Sequence, residues 1–195
     1  SASVAGTAIA AWDNGDLAVA WTRPIYGGTT QHVLALSIYD GSSWTTQDLD
    51  TASRTGYRPS IAIDNQGALH IAYIDRDNTN LRYATNASGT WVLSTLDNSA
   101  VNPVNDWVKT GIAIDNKGHV HIIHPVSGSG VWVLNYTTNV SGSFVSTTIT
   151  DTTEDDGKYA SLAIAGNGSL HISVYRDSGG SDLRYYTDES GVWTN

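Results

Sequence analysis

The chain has 195 residues, 40% of them hydrophobic and 15% charged, which is enough apolar material for one sizeable core and argues against a disordered polymer. Ten basic against nineteen acidic residues give a formal charge of -9 with no basic run, a balance that argues against a nucleic-acid partner. The absence of cysteine excludes disulfides, thiolate metal sites and a cysteine nucleophile, and no apolar stretch approaches the roughly 18 residues of a membrane-spanning helix.

From the N-terminus, Ala8 to Ala11 reads as a short strand and the turn at Trp12-Asp13-Asn14-Gly15 leads into a second, through Val19. A long loop is expected from Pro24 to Gln31, and a last strand starts near Trp44. The next unit shows the pattern best. Ser60 to Ile63 is an apolar, β-branched run, Asp64-Asn65-Gln66-Gly67 supplies turn chemistry, and Leu69 to Ile74 makes the second strand. Asp75 to Asn80 is a polar loop, Leu81 to Ala84 a third strand, Asn86 to Gly89 a turn, and Thr90 to Leu96 a fourth strand. The first hairpin returns at Ile112 to Ile122 and again at Leu162 to Ile172, so that Gly15, Gly67, Gly118 and Gly168 lie 52, 51 and 50 residues apart.

A period near fifty filled with short strands predicts an all-β fold, a β-propeller of four roughly 50-residue, four-stranded blades in a single domain. The repeats run approximately over 7–56, 57–107, 108–158, and 159–195 plus 1–6. Trp44, Trp91, Phe144 and Trp193 recur at the start of the fourth strand, and Tyr83, Tyr136 and Tyr185 recur on the third. Repeated aromatics are expected to fill the space between blades. The ends fall out of register by about one strand, which Ser1 to Gly6 supplies by closing the ring or which another chain supplies at an open edge.

The unit from Tyr57 through Asp75, followed by Leu81-Arg82-Tyr83-Ala84 and Thr90-Trp91, resembles the blade repeat of secreted bacterial and archaeal β-propeller proteins of the sialidase-like propeller superfamily. The resemblance implies a propeller in a secreted or cell-surface protein. Sialidase chemistry is not implied, because no Ser-x-Asp-x-Gly-x-x-Trp box is present. The only echo of the catalytic arginines is Arg58, and the only glutamates are Glu154 and Glu189. Four Asn-x-Ser/Thr sequons, at Asn86, Asn135, Asn139 and Asn167, and a surface rich in Ser, Thr and Asn agree with an extracellular location. A chain without methionine that opens on serine is expected to be a mature or excised piece.

Candidate site residues come from departures and from superposition of the repeats. Arg58, Lys109 and Lys158 each precede the innermost strand of a blade and are expected to ring one channel mouth, where an anion or the carboxylate of an acidic sugar could sit. Among the aromatics near loops, which suit sugar stacking, are Tyr57, Trp107 and Trp132, with Trp12, Trp21 and Tyr26. Asp151, Glu154, Asp155 and Asp156 form a dense acidic turn that could take calcium, although no cofactor is required. His70, His121 and His171 are expected to bond within their own blades, while His119 and His121 share a strand face and could take a transition metal.

The function that this sequence supports is a non-catalytic, secreted or surface recognition module. Its expected partner is a glycan or another cell-surface polymer. The alternatives are a self-assembling structural subunit, a homo-oligomer through its chain ends, and a glycosidase or sialidase-like hydrolase.

Overall fold

A computed structural model describes residues 6–25, 31–52, 54–98, 108–127, 130–150 and 152–195. The alternating apolar runs become strands, and the glycines between them turn the chain. Gly15, Gly67, Gly118 and Gly168 all have positive φ, between 83 and 92°, a conformation that costs glycine nothing and other residues a clash. The first sheet holds β1 (Thr7–Ala11), β2 (Leu17–Ile25), β3 (Gln31–Tyr39) and β4 (Trp44–Asp50). The second holds β5 (Tyr57–Ile63), β6 (Leu69–Asp75), β7 (Asn80–Thr85) and β8 (Val92–Asp97). The third holds β9 (Gly111–Ile114), β10 (Val120–Ser127), β11 (Trp132–Thr138) and β12 (Val145–Thr148). The fourth holds β13 (Lys158–Ile164), β14 (Leu170–Arg176) and β15 (Asp182–Thr187).

Every sheet is an antiparallel meander in chain order. In place of the expected fourth strand, the last sheet has a single bridge between Thr187 and Thr194. The loop expected from Pro24 to Gln31 is shorter than it reads, because Pro24 pairs with His32 and Ile25 with Gln31 inside the β2–β3 ladder.

The core lies between sheets rather than within any one of them. Side chains alternate across a strand, so Leu69, Ile71 and Tyr73 of β6 join Ala18, Ala20, Leu34 and Leu36 of the first sheet. Ala72, on the other face of β6, joins Val120 and Ile122 of the third. Ile123 and Leu134 of the third then pack with Ile172 and Val174 of the fourth. Each such fully buried Leu or Ile contributes about 1.5–3 kcal/mol, so the stabilisation resides in neighbouring pairs of sheets. The innermost strands pack in series, β1 on β5, β5 on β9 and β9 on β13. Among the described residues no comparable packing joins the fourth sheet to the first, so the closed four-blade ring is not what is seen; the four sheets form an open arc.

Polar links lock the same junctions. Asp50, at the end of β4, accepts from the Tyr73 hydroxyl at 2.7 Å and pairs with Arg82 at 3.4 Å, both in the second sheet. Asp97, at the end of β8, meets His124 at 3.1 Å and Asn135 at 3.0 Å in the third. Within sheets the recurring histidines sit beside the recurring tyrosines: His70 Nδ1 lies 2.5 Å from the Tyr83 hydroxyl, His121 2.6 Å from Tyr136 and His171 2.5 Å from Tyr185. The turn acid completes the lock in the second sheet, where Asp64 Oδ2 lies 3.1 Å from His70 Nε2. In the third sheet His119 and His121 both turn to Asp115, at 2.8 and 3.7 Å. Ala165 removes that acid from the fourth, and the Ser169 hydroxyl, 3.2 Å from His171, replaces it.

These links make stability depend on pH. Burial alone would push Asp64 up, but the His70 hydrogen bond and the Ala68 and Gln66 amides outweigh it and hold the carboxyl below its ordinary range. Asp115 is lowered by the same balance, with His119 as its main partner. Burial pushes His121 down against the pull of Asp115, so its neutral form is the native one. A lowered histidine loses stability as pH falls below about 6.5, because the unfolded chain takes up the proton first. A lowered aspartate loses it as pH falls through and below about 4. Asp156, raised by burial, acts in the opposite sense. The thermal midpoint is therefore expected to fall in two stages on acidification from pH 7, with His121→Gln flattening the first and Asp64→Asn with Asp115→Asn flattening the second. A midpoint independent of pH between 7 and 3 contradicts this account.

Gly56, with φ of 77°, enters the second sheet against the first, and a Cβ there would lie 2.5 Å from the Leu34 Cα. Gly56→Ala is expected to lower stability by about 3 kcal/mol in chemical denaturation, against less than about 1 kcal/mol for the unobstructed Gly166→Ala.

Candidate binding sites at the blade junctions

The first sheet breaks the repeat at its inner turn. Ala11 pairs with Leu17 as Ile63 pairs with Leu69, so Trp12 stands where the second sheet has Asp64. The same register puts Ala18 in the place of His70, and Leu36 in the place of Tyr83. With the acid, histidine and tyrosine all replaced, the indole crosses to the neighbouring turn, where its Nε1–H donates to the Gly67 carbonyl at 2.9 Å. A cleft of about 540 Å³ opens between the two turns, lined by Ala11 to Asn14 on one side and Ile63 to Gly67 on the other. Trp12 is half-buried, whereas Asp13, Asn14, Asn65 and Gln66 are exposed. An aromatic ring flanked by amides and a carboxylate presents stacking surface with donors and acceptors for hydroxyl groups.

A second cavity, of about 190 Å³, lies at the opposite ends of the inner strands, lined by Gly6, Thr7, Arg58, Pro59, Lys109 and Thr110. Thr110 ties the two sheets there, donating to the Arg58 carbonyl at 2.7 Å. Arg58 holds a strained φ of 51° at a β-bulge, and Tyr159 holds one of 52° at the corresponding bulge of the fourth sheet. Gly6 permits the close approach of the first sheet, because a Cβ would lie 3.0 Å from the Pro59 ring. Among the described residues no carboxylate lines this cavity.

The expected ring of three cations is thus a pair. Counting back from the β-pairs that align the sheets, Arg58 and Lys109 occupy one register position with Gly6 and Tyr159, while Lys158 falls one residue earlier. Its ammonium turns away from the inner mouth to Asp155 at 2.7 Å and Asp177 at 2.5 Å. Grouping the repeats by charge missed Tyr159, an exposed ring edge-on to Tyr175 at 6.1 Å, although it stands as far before Gly168 as Arg58 stands before Gly67.

Tyr57 is a core residue rather than a stacking platform. It is fully buried, its hydroxyl lies 2.8 Å from His32 Nδ1, and the Arg76 guanidinium sits 5.5 Å from its ring centre. Trp132 is half-buried at the start of β11, where its amide donates to Asp155 at 2.8 Å, and it lines neither cavity. Trp107 and Asp151 lie outside the described residues, as does Tyr26.

The acidic turn is compensated from within the chain. Glu154 pairs with Arg176 at 3.2 Å and Arg184 at 2.5 Å, and Asp155 with Lys158. Asp156, fully buried, accepts from the Tyr186 hydroxyl and from Arg184 at 3.3 Å. Arg176 and Arg184 sit on β14 and β15, more than twenty residues along the chain from Glu154, where no local pattern announces them, whereas Lys158 stands beside Asp155 in the sequence. Chelation with EDTA is accordingly expected to leave the thermal midpoint unchanged within about 1 °C. A fall of several degrees, restored by calcium, would reinstate a metal at this turn.

No helix among the described residues is long and apolar enough to cross a membrane. No family model matches the chain, and no curated protein matches it. Solved structures do share its fold. A protein of unknown function from Dyadobacter fermentans aligns over 98% of this chain and 67% of its own at 10% identity, with a TM-score of 0.67. The fungal lectin of Aleuria aurantia, a six-bladed β-propeller described with a fucose recognition mode, aligns over 97% of this chain and 59% of its own at 17% identity, with a TM-score of 0.65. An α-L-arabinanase from Penicillium chrysogenum aligns over 93% and 61% at 12% identity, with a TM-score of 0.58. The chain is an all-β protein with a β-propeller fold and spans about three fifths of the lectin and the arabinanase.

Proposed function

We propose that this protein is a non-catalytic carbohydrate-binding propeller whose main site is the cleft between the first two sheets. The observation that carries the reading is the replacement of the Asp–His–Tyr lock by Trp12, Ala18 and Leu36, which opens a 540 Å³ cleft at that junction. Ala18 and Leu36 join the core of that junction and Trp12 packs against it, so the departure from the repeat exchanges a polar lock for an apolar junction with an open cleft beside the indole. The ring of Trp12 offers a face for a sugar, and Asn14, Asn65 and Gln66 offer amides for its hydroxyls. The fold is one that the Aleuria lectin uses for fucose, which supports carbohydrate as the ligand class. Secretion or surface display accords with that ligand.

Arg58 and Lys109 support a second, smaller reading in the same class. Two cations converge on a cavity without a carboxylate among its described lining residues, in a chain of charge -9, which suits the carboxylate of an acidic sugar.

A glycan array probed with the purified chain is expected to show binding that Trp12→Phe with Gln66→Ala weakens at least about tenfold, without loss of the folded circular-dichroism signal. Retention of only uronic or sialic acids that depends on Lys109→Ala moves the site to the basic cavity. Release of reducing sugar from the bound glycans, or no glycan bound at all, overturns the proposal.

A further inference from the structure

One repeated packing position has a different fate at the end of the chain. Leu34 on β3, Leu81 on β7 and Leu134 on β11 occupy the same register, and each is fully buried under the next sheet. Leu183, their counterpart on β15, is 78% exposed. The recurring tyrosine behaves alike. Tyr83 is covered by Phe144 of the third sheet at 5.2 Å and Tyr136 by Trp193 of the fourth at 5.2 Å, whereas Tyr185 is 49% exposed. A hollow of about 200 Å³ lies there, lined in part by Leu162, Ala163, His171, Ser173 and Tyr185.

The other end of the arc shows the missing halves. Ile61, Ile112 and Leu162 of the inner strands each pack on the sheet before them, while Ile9, in the same register, is 63% exposed. Trp91, Phe144 and Trp193 likewise pack on the preceding sheet, and Trp44, the first member of that series, is 53% exposed. The chain therefore contains one kind of interface three times in full and once divided between its two ends.

We propose that a second copy of this chain completes it, the first sheet of one copy, with Ile9 and Trp44, seating on the fourth sheet of the other over His171, Leu183 and Tyr185. Continuity selects that occupant: the surface needed on each side is the one this sequence already places against its partner at every internal junction. The contact is head to tail, so each copy keeps one further face of each kind, and association continues until the ring closes or a fibre forms. It does not depend on what the Trp12 cleft binds.

Sedimentation equilibrium of the 20.8 kDa chain tests this directly. At about 50 µM the mass is expected to be two or more chains, falling towards one on dilution. Leu183→Arg alone and Trp44→Arg alone each shift the association at least about tenfold towards the monomer, and neither unfolds it because both side chains are exposed. Mixing the two variants leaves one intact face of each kind, and a pair of mass two chains that grows no further is the signature of the head-to-tail contact. A wild-type monomer at every concentration overturns the proposal. So does an oligomer that Leu183→Arg leaves intact, or a mixture that stays monomeric.

Discussion

A four-stranded sheet with apolar residues on both faces cannot stand in water by itself, and this constraint organises the molecule. Residues alternate across β6 so that Ile71 and Tyr73 need the first sheet while Ala72 needs the third. No sheet owns a core; each owns two halves. Stability is then a sum over junctions, and the polar bonds placed at those junctions, Asp50 to Tyr73 and Asp97 to His124, fix the rotation from one sheet to the next rather than adding much to the total. The aspartates reach across from the end of a fourth strand to the next sheet's second and third strands, where they meet Tyr73 and Arg82 in one sheet and His124 and Asn135 in the next.

Both cavities follow from the same arrangement. Neighbouring sheets pack tightly along their middles and splay at their ends, so space opens at the turns and at the starts of the inner strands. At the turns the lock of acid, histidine and tyrosine fills that space in the second and third sheets, and its absence at the first junction leaves room beside Trp12. At the strand starts the bulge that sets Arg58 at positive φ turns its backbone out of the ladder, and Thr110 holds it by its carbonyl. A site built in this way is rigid, because moving it means sliding one sheet over another.

The repeat made the fold legible, since turn glycines at near-constant spacing and a recurring strand pattern suit few architectures besides radially packed sheets. Two of the four sequons follow from the same regularity. Asn86 and Asn139 accept from the Leu69 and Val120 amides at 2.7 and 2.8 Å, and Asp188 does the same for Leu170 at 2.7 Å without forming a sequon. What stayed illegible needed either a one-residue offset or a distant partner. Grouping by charge sets Lys158 with Arg58 and Lys109, but the register counted back from Gly67, Gly118 and Gly168 makes Tyr159 their equivalent. Tyr57 reads as a loop aromatic because Tyr–Arg–Pro breaks the alternation, yet His32, twenty-five residues earlier, and Arg76 enclose it. The cations facing Glu154 and Asp156 are set by the pairing of β14 with β15, which charge density along the chain does not encode.

The acidic excess and the basic cavity are compatible because the two charges are kept apart. Five acids of the fourth sheet and its approach, Glu154, Asp155, Asp156, Asp177 and Asp182, are held by Arg176, Arg184 and Lys158. That pairing leaves the region acidic, five carboxylates against three cations, and spends three of the chain's ten cations on structure. Arg58 and Lys109 sit at the inner ends of other sheets, where no carboxylate among the described residues lines the cavity. Arg58 and Lys109 bring two cations to a small recess, whereas a long phosphate backbone would have to lie across a surface whose chain carries a net charge of -9.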